Sequence, residues 1–481
     1  MRNNIEATKT YIKNLFHDSS DITIEEHQLF NPNKSKLMIV VYCNGLMDNN
    51  ILRESILPSI QNSYYYNKNS DVLLNCTLSL KRNELHADQV ITENIFNGLT
   101  AIFIDESIYF YNTSNPPKRS PEESNAEVSL RGPRDGFVED ISTNVALVRK
   151  RLKTNSLVIK SFNIGKRSQT KVYLAYIYDI ENEAYIQEVT KRLESINIDM
   201  LISDNQLLGE LGDSKYPLFP LLGAYSRPDG VASSLVRGRF VIFIDNVPNV
   251  LVAPGNLGLF LNTSEDVHVP YYYATFEYLL RLMGLLLSLF LPGFWLALSA
   301  YNVDQIPFPL LATIASARLG IPFNTAIELL LMITLFELFR EAGIRLPKPV
   351  GQTVAVVGGL IVGDAAIRAG LTSPTMLVVA AITAVATFSL GNQALFGSVS
   401  IIRYFSILIT AILGMFGFFI SLFFVLGYLA KLESFGIPYL SPVSPFVRKD
   451  FAKTLFRFPA VKQNMRSRML KTIDRDRQGD S

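Results

Sequence analysis

The sequence predicts a two-part fold: a soluble α/β N-terminal region built of two related subdomains, then a polytopic α-helical membrane domain. Three observations carry this. From Leu279 to Ala430 only twelve Asp, Glu, Lys and Arg occur in 152 residues, against 18% charged residues for the whole 481-residue chain. Several runs in that interval are long enough to cross about 30 Å of hydrocarbon. Upstream, Gly98-Leu-Thr-Ala-Ile-Phe-Ile-Asp105 recurs as Gly238-Arg-Phe-Val-Ile-Phe-Ile-Asp245, an offset of 140 residues. The balance of 45 Lys+Arg against 43 Asp+Glu leaves +2 overall, so no basic field exists for nucleic acid and no acidic excess argues for disorder.

Taken in order, residues 1–35 read as a polar N-terminal extension, a helix plus linker. The first α/β subdomain, 36–126, opens with the strand Leu37–Cys43, whose β-branched content suits a buried position. Helices follow near 50–61 and over Val90–Asn97, the second closed by Gly98. Ala101–Asp105 and Ile108–Tyr111 flank a polar turn and read as a hairpin. Asn112–Ala126, with three prolines, reads as a loop. The second subdomain, 127–270, starts at the Gly-Pro-Arg-Asp-Gly turn. Val138, Ile141, Val145, Val148 and Leu152 then recur at helical spacing, with Asp140 or Ser142 as cap. The strand Val172–Tyr178, the helix Glu183–Ser195, a helical stretch Val231–Arg237 and a second hairpin repeat the plan of the first, which reads as a duplication.

The membrane domain, 271–430, is expected to cross four to six times. Leu282–Val303 holds 22 uncharged residues around Pro292-Gly293. Gln305–Pro322 reads as short or re-entrant, and Phe323–Phe339, Val350–Ala369 and Thr372–Leu390 as further spans. Tyr404–Ala430, at 27 residues, reads as one long tilted helix. The tail 431–481 carries 11 Lys+Arg against 5 Asp+Glu, which places it in the cytoplasm. Met1–Leu15 lacks the apolar core of a signal peptide, so the N-terminal region is expected there too. Cys43 and Cys76 then read as reduced thiols. Both ends on one side require an even number of crossings.

No chemistry-bearing motif emerges. His17, His27, His86 and His268 are dispersed, phosphate-loop and nucleophile-elbow patterns are missing, and no enzyme activity, metal or cofactor is expected. Asp364 and Arg368 are the only charges between Pro349 and Ile402, four apart on one helical face with Val354, Val357, Gly358, Ile361 and Ala365. With Val362 beside them, these residues suit a pore lining with a hydrophobic gate; the alternative is a packing face using Gly359 and Gly363. Glu337, Arg340, Glu341 and Arg345 can pair along one helix, either as a gating or subunit-contact elbow or as a snorkelling helix end. Gly132, Arg134 and Asp135 form a docking turn or a structural one.

The ordered set Gly132-Pro-Arg-Asp-Gly-Phe-Val-Glu-Asp140, Asn144, Arg149, Arg227-Pro-Asp229, Phe336-Glu-Leu-Phe-Arg-Glu-Ala-Gly343, Gly351-Gln-Thr353, Gly358-Gly359 and Ser434–Pro442 resembles the A-subunit family of bacterial spore germination receptors (GerA type). The resemblance covers roughly residues 35–445. It implies a multi-pass subunit of the spore inner membrane that works with a permease-like B subunit, which holds the nutrient, and a lipoprotein C subunit. It further implies a homo-oligomer, a pentamer, forming a ligand-gated cation channel with Thr353–Arg368 as the pore helix. The rival readings are an accessory scaffold without its own pore and a secondary transporter.

Overall fold

A computed structural model describes residues 2–31, 34–66, 76–81, 84, 87–115, 131–214, 217–345, 362–459 and 463–477. The chain forms an α/β unit (1–216, 221–254 and 460–481) and a helical unit (217–220 and 255–459).

The α/β unit contains two five-stranded antiparallel sheets of one topology. The first joins β1 (Ile22–Asn31), β2 (Lys34–Cys43), β3 (Leu78–Lys81), β4 (Leu99–Ile104) and β5 (Ser107–Asn112) in the order β1-β2-β4-β5-β3. The second joins β6 (Leu157–Ile164), β7 (Thr170–Ile177), β8 (Gly223–Tyr225), β9 (Phe240–Ile244) and β10 (Val250–Ala253) in the order β6-β7-β9-β10-β8. The predicted duplication is therefore real in three dimensions, down to its turns. Helix α3 (Ala87–Phe96) leads into β4 through Gly98 at φ +90°, and α7 (Pro228–Val236) leads into β9 through Gly238 at φ +87°. In each copy the glycine N–H donates to the carbonyl three residues back, Ile95 or Leu235, an ending that favours a residue without Cβ.

The N-terminal residues are not an extension. Helix α1 (Arg2–Leu15) packs Ile12 against the core of the first sheet, Phe16 joins it, and β1 pairs with β2 along ten residues. The segment reads as polar because β1 is an edge strand whose only buried side chain is Leu29. Between the sheets, α4 (Ile141–Arg149) starts three residues later than its periodicity implies, since Asp140 is extended and accepts from the Thr143 N–H at 2.7 Å. Helix α2 (Leu57–Tyr65) follows the second strand of its sheet, and α5 (Glu183–Ser195), with α6 (Asp204–Leu211) after it, the corresponding strand of the other. The basic tail is likewise not a free end. Arg466 Nε donates to the Val236 carbonyl (2.9 Å), Ile473 N to that of Ile180 (3.0 Å) and Asn182 to that of Lys471 (3.2 Å). Residues 463–477 thus form a strap on the second subdomain, held largely through backbone groups that no sequence pattern announces.

The helical unit comprises α8 (Leu257–Leu261), α9 (Tyr271–Leu296, continuing to Tyr301), α10 (Phe308–Ala317), α11 (Thr325–Arg345), a helical stretch at 362–368, α12 (Pro374–Phe388), α13 (Ala394–Lys431) and α14 (Arg448–Leu455). Tyr271–Tyr301 and Ala394–Lys431 are long and apolar enough to cross a membrane. The second does not form the single tilted helix expected. Gly414 at φ +62°, ψ −140° breaks it, the Ser406 and Ser421 hydroxyls lie 2.9 Å apart, and the Phe405 and Phe424 rings 5.3 Å apart. Fifteen residues of unbroken helix would separate those serines by about 22 Å, so α13 is two antiparallel limbs folded back at Gly414. The reversal packs on Tyr301, whose hydroxyl donates to the Ala411 carbonyl. At the opposite end of these helices Gly391 lies against Thr263 and Arg281.

Candidate functional site

Helix α11 carries two acids nine residues apart, about 14 Å along its axis, Glu328 buried and Glu337 half-buried, and each gathers partners from other helices. Glu337 accepts from Arg340 within its own helix, as its spacing predicts, and also from Arg403 Nη2 at 3.1 Å and the Ser400 hydroxyl at 2.8 Å on α13. Arg403, 2% exposed, donates further to Thr387 on α12 at 3.0 Å. One charge cluster therefore ties three helices together. Glu328, fully buried near the start of α11, accepts from the Ser373 N–H and hydroxyl, both at 2.6 Å, and from Thr372 at 3.2 Å. Its second oxygen faces Arg318 at 3.8 Å. Ser373 is the N-cap of α12, so that helix's positive end completes the neutralisation. Leu329, Met332, Ile333, Met376, Ala380 and Ile407 fill the interval between the two clusters.

Among the residues expected to line a pore, Val354, Val357, Gly358 and Ile361 lie outside the described residues, as does Gly359. Val362 is half-buried, while Asp364, Ala365 and Arg368 are exposed. Asp364 accepts from Arg368 Nε at 2.8 Å, with the two side chains 60% and 79% exposed. The same stretch packs through Gly363, where an added Cβ would meet Leu377 at 3.2 Å, and through buried Ala366. Helix contact and charged face are thus opposite sides of one helix, not competing descriptions of one side. Glu341 accepts from Arg345 at 2.7 Å, both exposed.

The Gly132–Asp135 turn lies in the α/β unit. Asp135 takes both bonds from Arg151 Nη2 (2.6 and 2.7 Å). Asn144 closes the loop by accepting from Val138 N at 2.8 Å and donating to its carbonyl at 2.6 Å. Gly132 is half-buried and Arg134 exposed. Arg149 has no exposure at all. It donates to both Asp21 oxygens (2.8 and 2.9 Å) and the Thr154 carbonyl (3.0 Å), with its guanidinium 4.3 Å from the Phe96 ring centre. Ser19 donates to Asp21 and accepts from Ile159 N on β6, so this node clamps the two subdomains. Burial pushes the neighbouring Cys43 thiol well above its ordinary pKa, so it stays a thiol.

Sequence reading missed Arg403, Ser400, Thr387, Glu328 and Ser373. The available signal was the polar residues interrupting apolar runs, but which of them meet depends on helix packing. Asp364 and Arg368, which their spacing singles out, pair with each other among the described residues.

A family model described as Bacillus/Clostridium GerA spore germination protein matches residues 10–469. Spore germination protein XA of Bacillus anthracis is 40% identical, covering 99% of this chain and 98% of its own. Spore germination protein KA of Bacillus subtilis (strain 168) is 34% identical over 99% of this chain and 88% of its own. A crystal structure of the N-terminal domain of the A subunit of the Bacillus megaterium spore germinant receptor GerK3 covers 51% of this chain and 92% of that one, at 27% identity and a TM-score of 0.37.

Proposed function

Since this chain belongs to the GerA family of spore germination proteins, we propose that it is the A-type membrane subunit of a nutrient-responsive germination receptor and oligomerises into a ligand-gated cation channel. The observation that carries this is the Asp364–Arg368 pair, exposed on its helix while Glu328, Glu337 and Arg403 of the same unit are bonded to neighbouring helices. Charges in a bilayer-crossing segment face protein or water rather than lipid. A face that one copy leaves open is covered by neighbouring copies around an aqueous lumen.

The crossings number six. The chain leaves the α/β unit after Pro254 and its 463–477 strap is again part of that unit, which requires an even count. Helices α9, α11 and α12, the two limbs of α13 and, on its apolar composition alone, the run 350–369 make up the six, while α10, ten residues and about 15 Å, is too short. Alternating directions bring the starts of α11 and α12 to one level, in keeping with the Glu328–Ser373 bonds. The permease-like and lipoprotein subunits are the expected partners, the spore inner membrane the expected site, and Glu337–Arg345 with the Gly132–Asp135 turn the contacts that transmit binding.

The test is potassium efflux from proteoliposomes and from spores. Val357→Ala and Ile361→Ala should leak without nutrient, and Asp364→Asn should alter cation over anion preference. Wild-type behaviour in all three would remove this helix from the permeation path.

A further inference from the structure

The second subdomain contains a cavity of about 690 Å³, walled by β6, β7 and α5 and touched by Ile473 of the C-terminal strap. That volume is in the range of small-molecule sites. Among the described residues ten buried side-chain nitrogen or oxygen atoms have no hydrogen-bond partner, and five of them belong to this region. They are both Glu181 carboxyl oxygens, Tyr185 Oη, Thr190 Oγ1 and Thr472 Oγ1. Glu181 is 2% exposed and forms part of the cavity wall, at the turn between β7 and the Asn182 cap of α5. The buried Arg239 charge opposes the burial of this acid, but neither of its oxygens accepts a hydrogen bond; a buried carboxylate left so costs several kcal/mol, and a natural chain retains one where something else completes it.

The rest of the wall defines the missing partner. Asp179, Glu183 and Glu194 join Glu181 against Lys160 and Lys191, leaving the lining net acidic. Tyr176 and Tyr178 add two aromatic rings, and the Lys160 ammonium already lies 5.6 Å from the Tyr176 ring centre. Ile186 and Ile473 supply apolar surface. We propose that this cavity binds a small organic ammonium ion, with Glu181 as its counter-ion, the tyrosine faces beside the charged head and the isoleucines against its apolar part. Because Ile473 touches the cavity, occupancy also strengthens docking of the strap. The site does not depend on the channel reading, since binding is measurable without ion flux.

The experiment is calorimetric titration of the full chain in detergent with n-butylammonium chloride, with n-butanol and potassium chloride as matched probes. Saturable binding of butylammonium alone is expected, weakened about tenfold or more by Glu181→Gln, the range of a lost charged hydrogen bond. Gln187→Trp, at an exposed position on the cavity rim, should block binding while leaving the acid in place and the fold intact. No saturable butylammonium binding, equal binding by Glu181→Gln and Gln187→Trp, or binding reproduced by potassium or butanol would each overturn the assignment.

Discussion

Replacing Arg149 with methionine should separate the two subdomains' behaviour more than any other single change in the α/β unit. The substitution keeps an unbranched apolar side chain but removes the guanidinium over Phe96, both bonds to Asp21 and the one to Thr154. Asp21, 2% exposed in its side chain, would retain only the Ser19 hydroxyl at 2.6 Å and the weak Cys43 thiol at 3.5 Å. Breaking a buried pair by removing one partner costs about 3–5 kcal/mol. At about 2–4 °C per kcal/mol for a unit of this size, the melting midpoint should fall by about 6–20 °C. Cys43 itself reports the loss, since it is buried beside Asp21. In a Cys76→Ser background, thermally induced labelling of Cys43 by a fluorogenic maleimide gives the midpoint for the full chain. Adding Asp21→Leu to Arg149→Met should recover more than half of the loss, because the uncompensated charge is then gone. A single variant that melts within about 2 °C of wild type would refute the reasoning, and so would a double variant no better than the single.

Two further outcomes test other parts of the molecule. Gly414→Ala places a Cβ 2.9 Å from the Tyr301 ring at a backbone conformation open to glycine, a cost of about 1–3 kcal/mol from the backbone alone. A disulfide between Ser406→Cys and Ser421→Cys should therefore form with Gly414 present and be lost with alanine; if it forms in neither, the chain does not reverse there. Burial raises the Glu181 carboxyl well above its ordinary pKa of 4.5, opposed by the charge of Arg239. A folded-state pKa above the unfolded one contributes stability at low pH that is lost as pH rises through the raised value. Wild type without ligand should thus lose melting temperature above the ordinary carboxylate range relative to Glu181→Gln, and parallel pH profiles would contradict the burial of an unpaired acid.

Local patterns in the sequence were enough to predict the β4–β5 and β9–β10 hairpins, because Ile-Phe-Ile-Asp followed by a polar turn and a second apolar run has few other ways to satisfy its backbone. They were enough for the Glu337–Arg340 and Glu341–Arg345 pairs as well, since one turn of helix brings those side chains together wherever the helix lies. They misread β1, whose single buried leucine leaves an edge strand looking like a linker. They also misread 404–430, where an uncharged run hid a reversal that one glycine makes possible. Arg403 illustrates the limit: it stood in plain view at the head of an apolar run, yet its partners Glu337 and Thr387 are 66 and 16 residues away.

What the sequence determined by itself is the partition of the chain into α/β and helical parts, the duplicated hairpins and the helix-local ion pairs, all of which depend on composition or on neighbours within one turn or one hairpin. Only the tertiary structure decided which buried charges meet, that the tail returns to the second subdomain, and that an acid at 181 stands unpaired beside a cavity. Burial and pairing are properties of surfaces brought together from distant parts of the chain, and the energy that selects them is paid out between segments whose separation in sequence carries no record of the contact.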